Sequence, residues 1–162
     1  MSRTEPLSIA GAPRIDGAHV VVLKSKWHAE LVESMAVKCR ELLGDLGCSS
    51  VVEHTLPGSL EMPLAAQDVL RNSRGKVDAI VCLGIIVKGD TYHFEMISDE
   101  VIRGLGQVGL AHETPIIVEV LPVYDLQQAK DRAGDNDFNK GIEAALAAAE
   151  MIAWRRKLVQ QA

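Results

Sequence analysis

The chain has 162 residues, of which 48% are apolar and 24% charged, and this is the composition of a single globular domain. Its formal net charge of -5 argues against a nucleic-acid partner, because binding a phosphate backbone needs clustered Lys and Arg. The three cysteines lack C-x-x-C spacing and indicate a reducing compartment, so we expect a cytoplasmic protein. No signal-like segment and no apolar run of roughly 20 residues is present, so no membrane partner is expected.

Strand-like and helix-like patterns alternate along the chain from residue 19 onward. The apolar residues of the first helix recur every three or four positions, and Gly47 ends it. The predicted elements in chain order are a strand over 19–25, a helix over 29–46, a strand over 49–56, a helix over 61–72, a strand over 78–84, a helix over 92–112, a strand over 115–121, and helices over 126–133 and from 140 toward 157.

This alternation predicts parallel strands joined by right-handed helical crossovers. The expected fold class is therefore α/β, a three-layer α/β/α sandwich with a four-stranded, parallel, flavodoxin-like sheet. Residues 19–162 form its single domain. Residues 1–18 contain Pro6, Gly11, Pro13 and Gly17 and are expected to form an extended arm, a candidate to add a strand to a neighbouring subunit. Ligands of such sheets bind at the carboxyl ends of the strands.

The stretch GLGQVG at residues 104–109 matches the G-x-G-x-x-G pattern of dinucleotide-binding proteins. That pattern needs a strand before it, and here it lies inside the long predicted helix. We therefore set the dinucleotide interpretation aside and interpret the glycines as sites where one helix approaches another closely.

A better anion site is Gly89-Asp90-Thr91, which follows the third strand and begins the long helix. Free backbone N–H groups and the positive end of the helix dipole favour an anion there. Asp90 or Thr91 serving only as an N-cap is an equally good interpretation of the local pattern.

Other candidate residues follow the remaining strand ends. His93, in the first turn of the long helix, could transfer protons near neutral pH, although a lone histidine is more often a satisfied or surface residue. Trp27 follows the first strand, and Ser59 and Glu61 follow the second. Taken singly, each of these has a structural alternative: Trp27 as core, Ser59 as an N-cap and Glu61 as a first-turn dipole partner.

Five segments occur in order over about residues 20–154: SKWH, LPGSLEMPLAA, LGIIVKGDTYHFEMISDEV, QQAKDRAG and NKGIEAALAAAEM. Together they resemble the 6,7-dimethyl-8-ribityllumazine synthase family. The resemblance implies condensation of 5-amino-6-(D-ribitylamino)uracil with 3,4-dihydroxy-2-butanone 4-phosphate to give the lumazine, phosphate and water. It implies no metal and no redox cofactor.

The resemblance also implies roles for residues of this chain. His93 matches the proton-transfer residue and Trp27 the aromatic residue that stacks on the pyrimidine. Arg132 matches the cation on the phosphate. The other candidate substrate-binding residues are Ser59, Leu60 and Glu61 for the ribityl chain and ring edge, Ile85, Ile86 and Val87 beside the pyrimidinedione, Asp90 and Thr91 for the phosphate, and Val118 and Lys140.

Three single positions and one turn depart from the family pattern. Val118 stands where phenylalanine is common, so the aromatic wall expected from a neighbouring subunit would be thinner. Tyr92 replaces a common proline and His28 a common asparagine, while residues 122–124 replace a threonine-rich turn. These departures weaken the case for Val118 and His28 as ligand contacts.

Members of this family assemble as pentamers that share active sites between subunits, and some pentamers close into shells of about 60 subunits. The short turn between Arg132 and Lys140 favours the shell. Two other kinds of function remain open: a flavodoxin-like module that binds a flavin or nucleotide without chemistry, and a non-catalytic cage subunit.

Overall fold

A computed structural model describes residues 7–161, and its regular elements follow the predicted order. They are β1 (His19–Ser25), α1 (Ala29–Asp45), β2 (Ser50–Leu56), α2 (Met62–Asn72), β3 (Ala79–Val87), α3 (His93–Ala111), β4 (Ile116–Val123), α4 (Leu126–Ala133) and α5 (Lys140–Gln161).

The four strands form one parallel sheet in the order β2-β1-β3-β4. Strand residues alternate between two core clusters: Val20 and Val22 of β1 face α1, α4 and α5, whereas Val21 and Leu23 face α2 and α3. Both faces of the sheet are therefore covered by helices, which confirms the three-layer α/β/α sandwich.

The third strand is longer than predicted. The sequence favoured an end at Gly84, but β3 continues through Val87, so Ile85, Ile86 and Val87 lie within the strand and do not follow it. Their side chains are apolar and β-branched, and their backbone pairs with β4 up to Val87 opposite Val123. The fourth strand also extends past its predicted end, through Pro122, since an edge strand tolerates a proline.

Helix boundaries differ little from the predictions. α1 ends at Asp45, and Gly47 takes φ 91°, the left-handed conformation that glycine adopts without strain after a helix. α2 and α3 each begin one residue later than predicted, and α5 extends to Gln161 instead of Lys157. None of the helices within residues 7–161 has both the length and the apolar character needed to cross a bilayer.

The glycines of GLGQVG lie inside α3, as the helical interpretation requires. A Cβ added at Gly104 would stand 2.9 Å from Cγ of Pro63, so this glycine permits close packing of α3 on α2. Gly106 has open space around it and is not explained by such a contact.

Part of the N-terminal arm lies outside the described residues, because the structure describes it only from residue 7. From there to residue 18 it forms no helix or strand. Ile15 is fully buried in the core, and its N–H donates to the carbonyl of Leu46 at 2.8 Å. This part of the arm is thus attached to its own chain.

Candidate active site

The carboxyl ends of the parallel strands meet at one edge of the sheet, where the topology of such sheets places a ligand crevice, here between β1 and β3. Pairing of β1 with β3 stops at Lys24 opposite Leu83, while β3 continues along β4 to Val87. Among the described strands, none pairs with residues 85–87 on the β1 side. Because β2 and β3 lie on opposite sides of β1, this is the topological switch point at which α/β sheets bind ligands.

Groups from two loops, the one after β1 and the one after β2, come together at the mouth of this crevice. The Trp27 ring lies 3.7 Å from the position that a Cβ on Gly58 would occupy, and a carboxylate oxygen of Glu61 lies 3.0 Å from the same point. Trp27 is 65% exposed, so the core interpretation of this side chain is wrong. An accessible indole beside a carboxylate suits a flat polar ring.

A pair of hydroxyl groups lies deeper, around Gly84 of β3. A Cβ at Gly84 would stand 2.6 Å from Oγ of Ser59 and 3.3 Å from Oγ of Ser25, so only glycine leaves room for the Ser59 side chain. Ser59 is buried but does not cap α2, whose N-cap is Glu61 without a side-chain hydrogen bond, so the N-cap interpretation of Ser59 is wrong. Leu60, next to it, is 46% exposed.

The predicted anion loop lies between β3 and α3, over residues 88–92. Asp90, Thr91 and His93 are all exposed there. The N-cap of α3 is Tyr92, which makes no side-chain cap bond, so the interpretation of Asp90 or Thr91 as a plain N-cap is wrong. The first N–H groups of α3 are therefore left without a side-chain acceptor, which is the arrangement that favours an anion.

Two cations belong to helices on the other face of the sheet. Arg132 lies in α4 and donates to the carbonyl of Gln128 at 3.2 Å, and Lys140 begins α5 and pairs with Glu143. No hydrogen bond joins Arg132 to Asp90 or Thr91 within the described residues. Within the described residues Arg132 instead bonds the backbone of its own helix.

Asn139 connects the helices that carry these cations, and sequence reasoning did not identify it. Its side chain is buried; Nδ2 donates to the carbonyl of Ala133 at 3.1 Å and Oδ1 accepts from the N–H of Gly141 at 2.8 Å. It thereby caps α5 and fixes the end of α4 beside it. Arg132 and Lys140 are positioned through this side chain.

Val118 and His28 take no part in these groups. Val118 lies in the middle of β4 opposite Cys82 and packs partly buried against the core cluster under α2 and α3. His28 has φ 55° at the N-cap of α1, without a side-chain cap bond. Asparagine and histidine are among the residues that tolerate this left-handed conformation, so the backbone accounts for the residue type at this position.

Lys88 and Glu95 also border the anion loop and were not identified from the sequence. The Lys88 Nζ donates to Oε1 of Glu95 at 2.8 Å and lies 5.5 Å from the centre of the Tyr124 ring. The hydrogen bond from Lys88 lowers the pKa of Glu95 below its ordinary value. Within residues 7–161, no three His, Cys, Asp or Glu side chains form a group that could hold a metal ion.

These features define a class: a flavodoxin-like α/β protein with an exposed indole and an exposed helix start at the carboxyl edge of its sheet. Comparison with known proteins narrows the class. The family model for 6,7-dimethyl-8-ribityllumazine synthase matches residues 17–156. The protein of that name from Xanthobacter autotrophicus is 36% identical over 147 residues, covering 89% of this chain and 88% of the relative. The protein of the same name from Kineococcus radiotolerans is 37% identical over 148 residues, which cover 88% of this chain and 90% of that relative. The chain belongs to the 6,7-dimethyl-8-ribityllumazine synthase family.

Proposed function

We propose that this protein is a transferase that condenses 5-amino-6-(D-ribitylamino)uracil with 3,4-dihydroxy-2-butanone 4-phosphate, yielding 6,7-dimethyl-8-ribityllumazine, phosphate and water in riboflavin biosynthesis. The single observation that carries the proposal is the family match over residues 17–156, which spans the whole sheet and every candidate site residue.

The crevice between β1 and β3 is the proposed pyrimidine site. Trp27 stacks on the ring, while Glu61 and the Ser59 hydroxyl bind the ribityl chain and ring edge, with Leu60 beside them. The unpaired backbone edge of residues 85–87 supports a role for Ile85, Ile86 and Val87 beside the pyrimidinedione, because its N–H and C=O groups match the donors and acceptors of that ring.

The helix start at residues 90–92 is the proposed phosphate site. Thr91 contributes its hydroxyl, and Asp90 its backbone N–H, because a carboxylate would repel the phosphate. Arg132 supplies a permanently charged planar fork suited to phosphate oxygens, and Lys140 a second positive charge. Local cations and N–H groups let a chain of net charge -5 bind an anion.

His93 is the proposed proton carrier. Imine formation, loss of phosphate and ring closure each require a proton to move, and His93 is exposed immediately after the phosphate loop. No metal or redox cofactor is needed for these steps. Holding two substrates in one crevice supplies the rest of the acceleration through proximity.

The assembly proposed for this chain is a homo-oligomer, a pentamer or a shell of about 60 subunits with closed symmetry. Large apolar side chains that are exposed in the single chain support it. They include Tyr92, Leu110, Tyr124, Trp154 and Val159. In such an assembly a neighbouring subunit would bring Arg132 or Val118 to the crevice and receive the N-terminal arm. Light scattering separates a monomer, a pentamer and a shell in one measurement.

Free thiols at Cys39, Cys48 and Cys82 are compatible with the cytoplasmic location that we propose. Burial raises the pKa of Cys39 to about 12, so this thiol is unreactive at neutral pH.

The direct test mixes the purified protein with both substrates and follows lumazine fluorescence together with released phosphate. We expect both signals in equal amounts, and neither when one substrate is omitted. A flavodoxin-like module or an inert cage would bind ligand or assemble without turnover, so the absence of product from a correctly assembled protein contradicts the proposal.

A further inference from the structure

Lys88 joins the two ends of the anion loop. It is the first residue after β3, and its Nζ lies 2.8 Å from Oε1 of Glu95 in the first turn of α3. The other carboxylate oxygen of Glu95 is buried and has no hydrogen-bond partner within the described residues. Lys88 is thus the group that holds this carboxylate in place.

The same lysine also contacts the chain after β4. Its ammonium lies 5.7 Å from the Phe94 ring centre and 5.5 Å from that of Tyr124, at distances typical of cation–π contacts. Its backbone N–H donates to the carbonyl of Val123 at 2.8 Å. The start of α3 and the ends of β3 and β4 are therefore connected through one residue.

The loop between these anchors has little else to hold it. Tyr92 at the N-cap makes no side-chain cap bond, and the exposed side chains of Asp90 and Thr91 form no hydrogen bond within the described residues. The position of the loop, and of His93 directly after it, depends on how its two ends are held.

We propose that the Lys88–Glu95 ion pair, here called the loop clamp, positions residues 89–92 and His93 for binding and release of the phosphate-bearing substrate. The inference rests on the proposed function and adds two positioning residues to it. Neither side chain needs to touch the substrate.

Breaking the clamp should affect function more than stability, because the Lys88 and Glu95 side chains are partly exposed, 40% and 33% respectively. Ion pairs at that exposure add little to global stability. A misplaced binding group, by contrast, lowers catalysis strongly. Breaking the clamp is therefore expected to change kinetics and phosphate affinity without changing the melting temperature.

A rival explanation is that Lys88 simply adds positive charge beside the phosphate. The two explanations predict opposite effects of Glu95→Gln. If charge alone matters, removing the carboxylate strengthens phosphate binding. If the clamp matters, Glu95→Gln weakens phosphate binding as much as Lys88→Met does.

The experiment compares the full-length wild-type protein with Lys88→Met, Lys88→Arg, Glu95→Gln and the Lys88→Met/Glu95→Gln double variant. Lys38→Met is the matched control, because Lys38 forms an ion pair of 2.7 Å with Asp135 on the surface of α1. The measurements are kcat, KM for each substrate, the affinity for inorganic phosphate by calorimetry, and the melting temperature.

We expect Lys88→Met and Glu95→Gln each to weaken phosphate affinity and raise KM for the phosphate-bearing substrate about tenfold, with no effect on KM for the pyrimidine. The double variant should be no worse than either single variant, and Lys88→Arg should retain most of the function. Lys38→Met should match the wild type in steady-state kinetics and in phosphate affinity.

Tighter phosphate binding by Glu95→Gln, or kinetics of Lys88→Met equal to those of Lys38→Met, would overturn the proposal. If Lys88→Met fails to fold or assemble, Glu95→Gln and Lys88→Arg decide the matter. If the wild-type protein forms no lumazine, the proposed function fails, but the phosphate titration still tests the clamp. A wild-type protein that does not bind phosphate would overturn the clamp proposal as well.

Discussion

At the residue scale, Gly84 shows how one missing side chain determines what a crevice contains. It lies inside β3, where glycine is unfavourable by propensity, and it is there because the Ser59 hydroxyl occupies the space of its Cβ. The neighbouring Ser25 hydroxyl is buried without a hydrogen-bond partner within the described residues. The floor of the proposed pyrimidine site is therefore polar and closely packed.

Gly84→Ala should displace Ser59, because the added methyl would lie 2.6 Å from its Oγ. We expect a loss of about 1–3 kcal/mol in unfolding free energy, as for other overpacked positions, and a higher KM for the pyrimidine substrate. Urea unfolding and steady-state kinetics measure the two effects. The control is Gly44→Ala in α1, where nothing lies within 4 Å of the added Cβ; unchanged kinetics of Gly84→Ala would remove Ser59 from the site.

His93→Ala should lower kcat by about 10²-fold or more, since general acid–base catalysis typically contributes that much. His93 is exposed and forms no hydrogen bond within the described residues, so the melting temperature should stay unchanged. The matched control is His112→Ala, at the other end of α3. A variant that forms lumazine at the parental rate would exclude His93 as the proton carrier.

At the element scale, the two faces of α3 differ in how closely they are packed. Gly104 faces Pro63 of α2, whereas Gly106, two residues further on, faces open space in the single chain. Two glycines of one short motif therefore differ in their packing, and the sequence pattern alone does not show this difference.

Alanine substitutions at these two glycines should have opposite effects on stability. Gly104→Ala places a Cβ 2.9 Å from Pro63 and should destabilise the fold by about 1–3 kcal/mol. Gly106→Ala should stabilise it by about 1 kcal/mol through helix propensity. Urea unfolding of both variants tests this, with each serving as the control for the other. Equal effects of the same sign would contradict the assigned packing of α3 on α2.

At the scale of the whole molecule, an ion network joins β1, β2 and α1 on one side of the sheet. The Lys24 side chain is only 12% exposed, and its Nζ lies 2.7 Å from Glu33 and 2.6 Å from Glu53; Arg40 also pairs with Glu53. Burial would raise the pKa of Glu53, but hydrogen bonds from Lys24 and Arg40 outweigh it and hold the pKa below the ordinary 4.5.

This network predicts a specific acid sensitivity. A carboxylate with a lowered pKa in the folded state contributes stability above its unfolded pKa, and that contribution is lost as pH falls through the folded pKa. Glu53→Gln should therefore be less stable than the wild type at pH 7, and the difference should shrink as pH falls below 4.5. Urea unfolding at several pH values measures it.

The control for the acid series is Glu100→Gln, which removes a carboxylate from an exposed pair with Arg103. Its stability should follow the wild-type curve at every pH, because exposed pairs contribute little. Parallel pH curves for the wild type and Glu53→Gln would show that the network does not control acid unfolding.

The sequence alone was sufficient for the order of elements, the parallel sheet and the positions of Trp27, Ser59 and Glu61 just after β1 and β2. Apolar periodicity and turn residues are local signals: α4 was predicted at the residues where it lies, 126–133, and Gly47 ends α1 as expected. The family resemblance supplied the reaction and the residue roles, and the family itself is confirmed.

Only the tertiary structure decided what those residues contact. The extension of β3 past Gly84 depends on pairing with β4. The Ser25 hydroxyl at the end of β1 and the Ser59 hydroxyl from the loop after β2 converge on Gly84. Lys88 meets Tyr124 because β3 and β4 end side by side. Such contacts join residues that are distant in the chain. The geometry of these contacts is set by the packing of helices on the sheet, and a local sequence pattern does not encode that packing.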